Sequence, residues 1–170
     1  MPLDLFFLRH AVAVERGCDG FAEDERPLTE VGREKMILEV RGLKKWGLGF
    51  EVLFSSPLTR ALQTAELVKH YLPFKGSIEV ENELRPGGSL KALLKKLASR
   101  KEQSFLLVGH EPMLSSWIQN LLGCGRLAGL RLKKGALCHL ILDQPDEAAA
   151  TQLAALLQPR ALRLMGRKAG

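Results

Sequence analysis

An apolar run that stops abruptly on two cationic side chains sets the terms for this chain. Residues 3–11 read LDLFFLRHA, where Leu3, Leu5, Phe6, Phe7 and Leu8 leave Asp4 as the one polar position before Arg9 and His10. Apolar residues at successive rather than alternate positions mark a strand covered on both faces, as in a sheet with helices on either side. Open sheets of that kind bind ligands at the carboxyl ends of their strands. Here that end carries a guanidinium and an imidazole, although a chain returning to solvent through a charged pair would look the same.

The remainder alternates strands with amphipathic helices. Thr29 is placed to cap a helix reaching about Trp46, with Val31, Met36, Ile37, Val40 and Leu43 as its apolar stripe and Gly47 and Gly49 as its stop. Residues 51–55 read as a short strand. Ser56 then caps, and Pro57 begins, the helix LTRALQTAELVKHYL, which Pro73 ends. A strand over 77–81, a turn over 84–88 and a helix LKALLKKLA capped by Ser89 follow. Residues 105–108 repeat the opening pattern, an apolar strand ending on Gly109 and His110, and Pro112 starts a helix that Gly123 stops. A strand is expected over 135–142. Residues 146–165 fit either a helix, from their alanines, or a strand closed by proline. The loop over 12–28 has no period, and a loop of that length in a compact chain is functional or disordered.

This alternation implies an α/β fold, a three-layer α/β/α sandwich around a largely parallel mixed sheet. At 170 residues the expectation is a single domain over 1–170. Parallel crossovers bring the carboxyl ends of the first, second and fourth strands to one edge. Arg9, His10, Ser55, Ser56, Arg60, Gly109 and His110 then gather beside helix N-termini, which favour anions.

Net charge is +6, and the pI of about 9.4 also suits an anionic partner. The charge is uneven: Glu15, Asp19, Glu23, Asp24, Glu25 and Glu30 cluster early, while Arg160, Arg163, Arg167 and Lys168 crowd the end. Cys18, Cys124 and Cys138 are odd in number and form no CxxC pair, which points to reduced thiols. The first residues lack the pattern of a secretory leader and no apolar run is long enough to span a bilayer, so a cytoplasmic protein without a membrane role is expected. Ten aromatic residues and scattered lysine pairs (Lys44 with Lys45, Lys95 with Lys96, Lys133 with Lys134) do not interleave as nucleic-acid binders do.

Most phosphate chemistries fail on the motifs they need. There is no GxxxxGK[ST] loop, no cysteine with arginine six residues on, no DxDxT, GxSxG or HExxH. His70 and His139 lack metal-ligand spacing and read as ordinary surface or core side chains. Histidine as nucleophile, with arginines holding the phosphoryl group, remains.

LRHA at 8–11, SSPLTRALQTA at 55–65 and VGHEPML at 108–114 together resemble the signature of the histidine phosphatase superfamily, whose members include phosphoglycerate mutases, acid phosphatases and SixA-type phosphohistidine phosphatases. RPLTEVGRE at 26–34 and ELRPGG at 83–88 look most like the SixA branch. The resemblance implies a phosphoglycerate mutase-like fold and a metal-independent, cofactor-free hydrolase. In it His10 is phosphorylated transiently, Arg9 and Arg60 clamp the phosphoryl oxygens, and His110, protonated beside the phosphoryl group, completes the cradle. Arg26 is expected to border the pocket, with a salt bridge to Glu25 or Asp24 as its alternative. Glu83 lies where larger members place a general acid. Two departures stand out: Ala11 replaces the usual glycine, and Glu111 follows His110 where a neutral polar residue is more common. Glu111 adds negative charge that weakens anion binding or tunes His110.

The reading this supports is a SixA-like phosphatase acting on a phosphohistidine-bearing protein, such as a phosphorelay or phosphotransfer domain, as a cytoplasmic monomer. A small-molecule phosphomonoester phosphatase of the same superfamily is the alternative within enzymes. A non-catalytic basic module binding anions or nucleic acid is the alternative outside them.

Overall fold

A computed structural model of the chain describes residues 2–18, 20–125, 129–146 and 150–167. Asp19 and Lys168, members of the two charge clusters, lie outside the described residues. Six strands form one sheet in the order β3-β2-β4-β1-β5-β6. They are β1 Leu3–Arg9, β2 Val52–Ser55, β3 Ile78–Val80, β4 Ser104–Gly109, β5 Leu137–Leu142 and β6 Thr151–Leu157. β1, β2, β3 and β4 run parallel through their pairings, whereas β5 pairs antiparallel with both β1 and β6. The helices are α1 Glu30–Trp46, α2 Thr59–Tyr71, α3 Leu90–Ala98, α4 Met113–Leu121 and α5 Pro159–Gly166.

The unbroken apolar run of β1 serves two cores at once. Leu5 and Phe7 pack with Phe54, Phe105, Leu107 and the apolar stripes of α3 and α4. Phe6 and Leu8 face the other way, onto Met36, Val40 and Leu43 of α1, Ala61 and Ala65 of α2, and Leu162 of α5. Burial on both faces of a central strand requires helices on both sides, so the three-layer α/β/α arrangement follows from the pattern. The turn at 84–88 is preceded by a 3₁₀ turn at Asn82–Leu84, and Ser89 caps α3 through the amide of Ala92.

Three local expectations are corrected. Val31, assigned to the apolar stripe of α1, is 54% exposed, because the stripe begins only at Met36. The N-cap of α2 is Leu58, not Ser56, and Pro57 precedes the helix. Ser56 is instead drawn toward the sheet, its amide on the Val108 carbonyl at 3.0 Å. The ambiguous segment resolves into both candidates in turn: β6 pairs with β5, then Pro159 opens α5. Proline lacks the amide that a continuous helix would need there.

α5 packs tightly on α1 through glycines. A Cβ at Gly42 would lie 2.1 Å from the Leu162 carbonyl oxygen, and one at Gly166 would lie 1.9 Å from that of Leu38. Beside this contact Glu39 is buried, paired with Arg163 and pressed against the backbone of Gly135. Burial outweighs Arg163 and lifts the Glu39 pKa to about 7, from 4.5. Between those values the folded chain holds a proton that the unfolded chain has released. Its stability therefore falls as pH rises from about 4.5 through about 7. Glu39→Gln, which cannot ionise, is expected to flatten that slope. Urea denaturation at pH 5 and pH 8 checks this: the wild type should lose on the order of 2 kcal/mol more than the variant. Parallel losses would mean that Arg163 keeps Glu39 ionised throughout.

Candidate active site

Three parallel strands end together. The register pairs Arg9 of β1 with Gly109 of β4, and Ser55 of β2 with Val108, so His10, His110 and Ser56 are the next residues out on neighbouring strands. The His10 amide donates to the Gly109 carbonyl at 3.1 Å. The two imidazole rings face each other with centroids 5.0 Å apart, tilted by 52°. Arg60 arrives from the first turn of α2 and is only 3% exposed. Thr64, one turn further on, ties that helix to the strand: its hydroxyl accepts from the Ala11 amide at 3.0 Å and donates to the Arg60 carbonyl at 2.7 Å.

The hydrogen bonds orient both rings. His10 Nδ1 lies 2.7 Å from the Ala11 carbonyl oxygen. A carbonyl can only accept, so the ring proton sits on Nδ1 and Nε2 keeps its lone pair. Burial, followed by His110, pushes the His10 pKa well below the usual value, with Arg60 and Arg9 adding to this against the pull of the Ala11 carbonyl. His10 is thus a neutral imidazole with a free Nε2. His110 Nε2 lies 2.8 Å from the Ser56 hydroxyl, and burial, then Arg60 and Arg9, push its pKa down to about 3. Burial and the two arginines thus favour neutral His110, so the imidazolium expected from the sequence depends on the negative charge of a phosphoryl group to offset them.

The arginines are anchored by their ends. Arg9 Nη1 donates to the Leu132 carbonyl at 2.8 Å. Arg60 donates from Nη1 to the Glu23 carbonyl at 2.8 Å and from Nη2 to Glu23 Oε1 at 3.2 Å. Among the described residues, Arg9 Nε, Arg60 Nε and His110 Nδ1 are buried without a hydrogen-bond partner. Buried donors left unsatisfied are costly and uncommon. Two guanidinium Nε donors and a ring nitrogen without a partner in the protein suit an anion with several acceptor oxygens, as a phosphoryl group is. Among the described residues no three His, Cys, Asp or Glu side chains gather as metal ligands.

Residues 5–86 match the model of the histidine phosphatase superfamily (branch 1). An uncharacterized protein of Picosynechococcus sp. is 34% identical over 148 residues, 81% of this chain and 84% of that protein. The phosphohistidine phosphatase SixA of Escherichia coli K12 is 31% identical over 122 residues, 70% of this chain and 74% of SixA. The chain belongs to the histidine phosphatase superfamily. A solved structure of the protein histidine phosphatase SixA complexed with tungstate superposes with a TM-score of 0.79 at 28% identity, covering 94% of this chain and 99% of that one. With phosphatases both among its relatives and as its structural match, the chain is a phosphatase, a hydrolase of phosphoryl groups.

Of the six site residues expected from sequence, the structure gathers Arg9, His10, Arg60 and His110 at one mouth. Arg26 joins them indirectly. It bonds to the Val14 carbonyl at 2.6 Å and to both oxygens of Glu23, so its ion-pair partner is neither Glu25 nor Asp24. Glu83 is engaged elsewhere, its Oε2 accepting from the Ser89 amide at 2.6 Å, at the start of α3. It shares no hydrogen bond or ion pair with the four mouth residues among the described ones.

Glu111 is not aimed at His110. Its Oε1 accepts from the Ser115 hydroxyl at 2.7 Å and from the Leu132 amide at 3.3 Å, so it steadies the residue whose carbonyl anchors Arg9. Lys134 is a further neighbour of the mouth that the sequence pattern hides. Its turn is bonded to Arg9 on both sides, Gly135 amide to Arg9 carbonyl and Arg9 amide to Ala136 carbonyl, each at 3.1 Å. Burial, then the charges of Arg9 and Arg26, lower the pKa of this exposed lysine, so it lies within electrostatic reach of the mouth. An open groove of about 720 Å³ is lined by Gly88, Glu111, Trp117 and Leu130 among others, and by none of the four mouth residues.

Proposed function

We propose that this chain is a phosphohistidine phosphatase that removes the phosphoryl group from a histidine of a carrier protein by way of a phosphorylated His10. The observation that carries the reading is the neutral His10, its Nδ1 tied to a carbonyl and its Nε2 free, opposite His110 and between two arginines with open Nε donors. Nε2 attacks the phosphorus of a phosphohistidine whose ring carries a proton on its other nitrogen, the P–N bond breaks, and its electron pair leaves with the carrier as neutral imidazole. Water then attacks the phosphorus of phospho-His10, the P–Nε2 bond breaks, and inorganic phosphate departs with His10 neutral again. Arg9 and Arg60 hold the equatorial oxygens, and the open Nδ1 of His110 adds a contact to the same group. These charges supply what a divalent ion would bring elsewhere, so the reaction needs no metal.

Substrate class follows from the leaving group. An alkoxide leaves poorly and needs a general acid, whereas imidazole, with a conjugate-acid pKa of about 6.5, leaves with little help. The candidate acid, Glu83, has one oxygen committed to the Ser89 amide. The test is hydrolysis of a phosphohistidine peptide against a phosphoserine peptide, both in EDTA. Rapid release from the first alone is the expected result. Comparable release from both, or release from neither until a divalent ion is restored, would sink the reading.

A further inference from the structure

The early acidic cluster is unexplained by anion binding, yet one of its members reaches into the site. Glu23 lies in a 3₁₀ turn, Glu23–Glu25, within the long aperiodic loop. Its carboxylate accepts from Arg26 Nη2 at 2.7 Å and Nε at 3.1 Å, from Arg16 Nε at 2.9 Å and from Arg60 Nη2 at 3.2 Å. Its backbone carbonyl takes Arg60 Nη1 at 2.8 Å. The next residue, Asp24, is clamped to Arg85, and the Arg26 guanidinium is held by the Val14 carbonyl, so the turn is pinned from two sides.

We propose that Glu23 is a positioning residue of the active site: by holding both terminal nitrogens of Arg60 from the loop side, it fixes the guanidinium plane with Nε turned to the phosphoryl group. A guanidinium is planar and rigid, so holding two of its nitrogens fixes the direction in which the third donates. Free to rotate, a long arginine loses side-chain entropy on each binding event. Glu23 and its carbonyl take up that loss in the folded protein while leaving Nε open. One carboxylate shared by three arginines also leaves the cluster cationic, so the acid does not cancel the field that draws the anion. The hydrogen bonds with Arg26 and Arg16 hold the Glu23 pKa down to about 2, so the hub is ionised at neutral pH.

The proposal rests on the role of Arg60 given above, and a double-mutant cycle with phosphoramidate as substrate separates the two. Glu23→Ala is expected to lower kcat/KM about 10- to 100-fold in the wild type and less than about twofold in Arg60→Ala, because the second background has nothing left to position. Glu23→Gln, which keeps an acceptor oxygen, should fall between wild type and Glu23→Ala. Thermal melting should stay near that of the wild type, since Glu23 is 39% exposed on a loop. Equal losses in both backgrounds would overturn positioning. A gain in activity with Glu23→Ala would also overturn it, showing that Glu23 competes with substrate for Arg60. If Arg60→Ala itself costs nothing, the reading of the site fails together with that of Glu23.

Discussion

His10→Ala is expected to abolish turnover of every phosphoryl substrate, by more than about 10³-fold or ~4 kcal/mol of barrier, while the protein still folds. The large loss follows from the chemistry: no other described side chain offers a neutral, oriented imidazole with a free Nε2 at this mouth. The survival of the fold follows from position. His10 lies one residue beyond β1, and its ring makes a single hydrogen bond, to the carbonyl of the next residue. Rapid acid-free quench of the wild type with labelled phosphoramidate should trap an acid-labile, alkali-stable phosphoenzyme that the variant lacks. Full turnover without that species would count against covalent catalysis. The depressed His10 pKa adds a second readout. Its cause, burial next to His110, keeps the nucleophile unprotonated on the acid side of neutrality, so the acid limb of kcat/KM should lie well below pH 6.5.

The second large effect is on substrate choice. Phosphohistidine and phosphoramidate are expected to be cleaved fastest, aryl phosphates more slowly, and alkyl phosphates hardly at all. Each pK unit of a poorer, unassisted leaving group costs up to about tenfold, ~1.4 kcal/mol, so the spread covers several orders of magnitude. Glu83→Gln should change phosphohistidine turnover little, since the Oε2 that it alters is bonded to the start of α3. The measurement is a plot of log kcat/KM against leaving-group pKa for wild type and variant. A flat plot for the wild type that becomes steep in Glu83→Gln would identify Glu83 as a general acid and make a phosphomonoester the natural substrate.

These two effects depend on different kinds of contact, and that difference decides what can be read in advance. His10, Arg9, Arg60 and His110 announce themselves because each sits at the end of a strand or the start of a helix with a strong local pattern. Once β1, β2 and β4 are parallel, strand ends must converge, and the residues just beyond them meet with no further information. Glu23 offers no such sign. It lies in a loop without periodicity, and its partner among the catalytic candidates, Arg60, is 37 residues away. Arg26 shows the limit clearly. Its sequence neighbours Asp24 and Glu25 are the partners that proximity suggests, yet the 3₁₀ turn presents Glu23 to it and turns Asp24 toward Arg85.

Glu111 and Ser56 escape the sequence for the same reason. Glu111 stands next to His110 in the chain, but its oxygen reaches the Leu132 amide and so steadies Arg9. Ser56 has the pattern of a helix cap, but the end of β2 holds it where its hydroxyl meets His110. In both cases a side-chain oxygen chooses among several partners within reach, and which one is nearest depends on segments far away in the chain. Apolar periodicity, by contrast, is set by the need to bury surface, and burial depends on which face a residue occupies, not on a particular partner. The chain alone therefore determined the alternation of strands and helices, the two covered faces of β1 and the four residues at the mouth. Only the tertiary structure decided which nitrogen of each ring is free, which oxygens hold each arginine and what Glu83 holds, because a hydrogen bond is directional and short-ranged while the hydrophobic effect is neither.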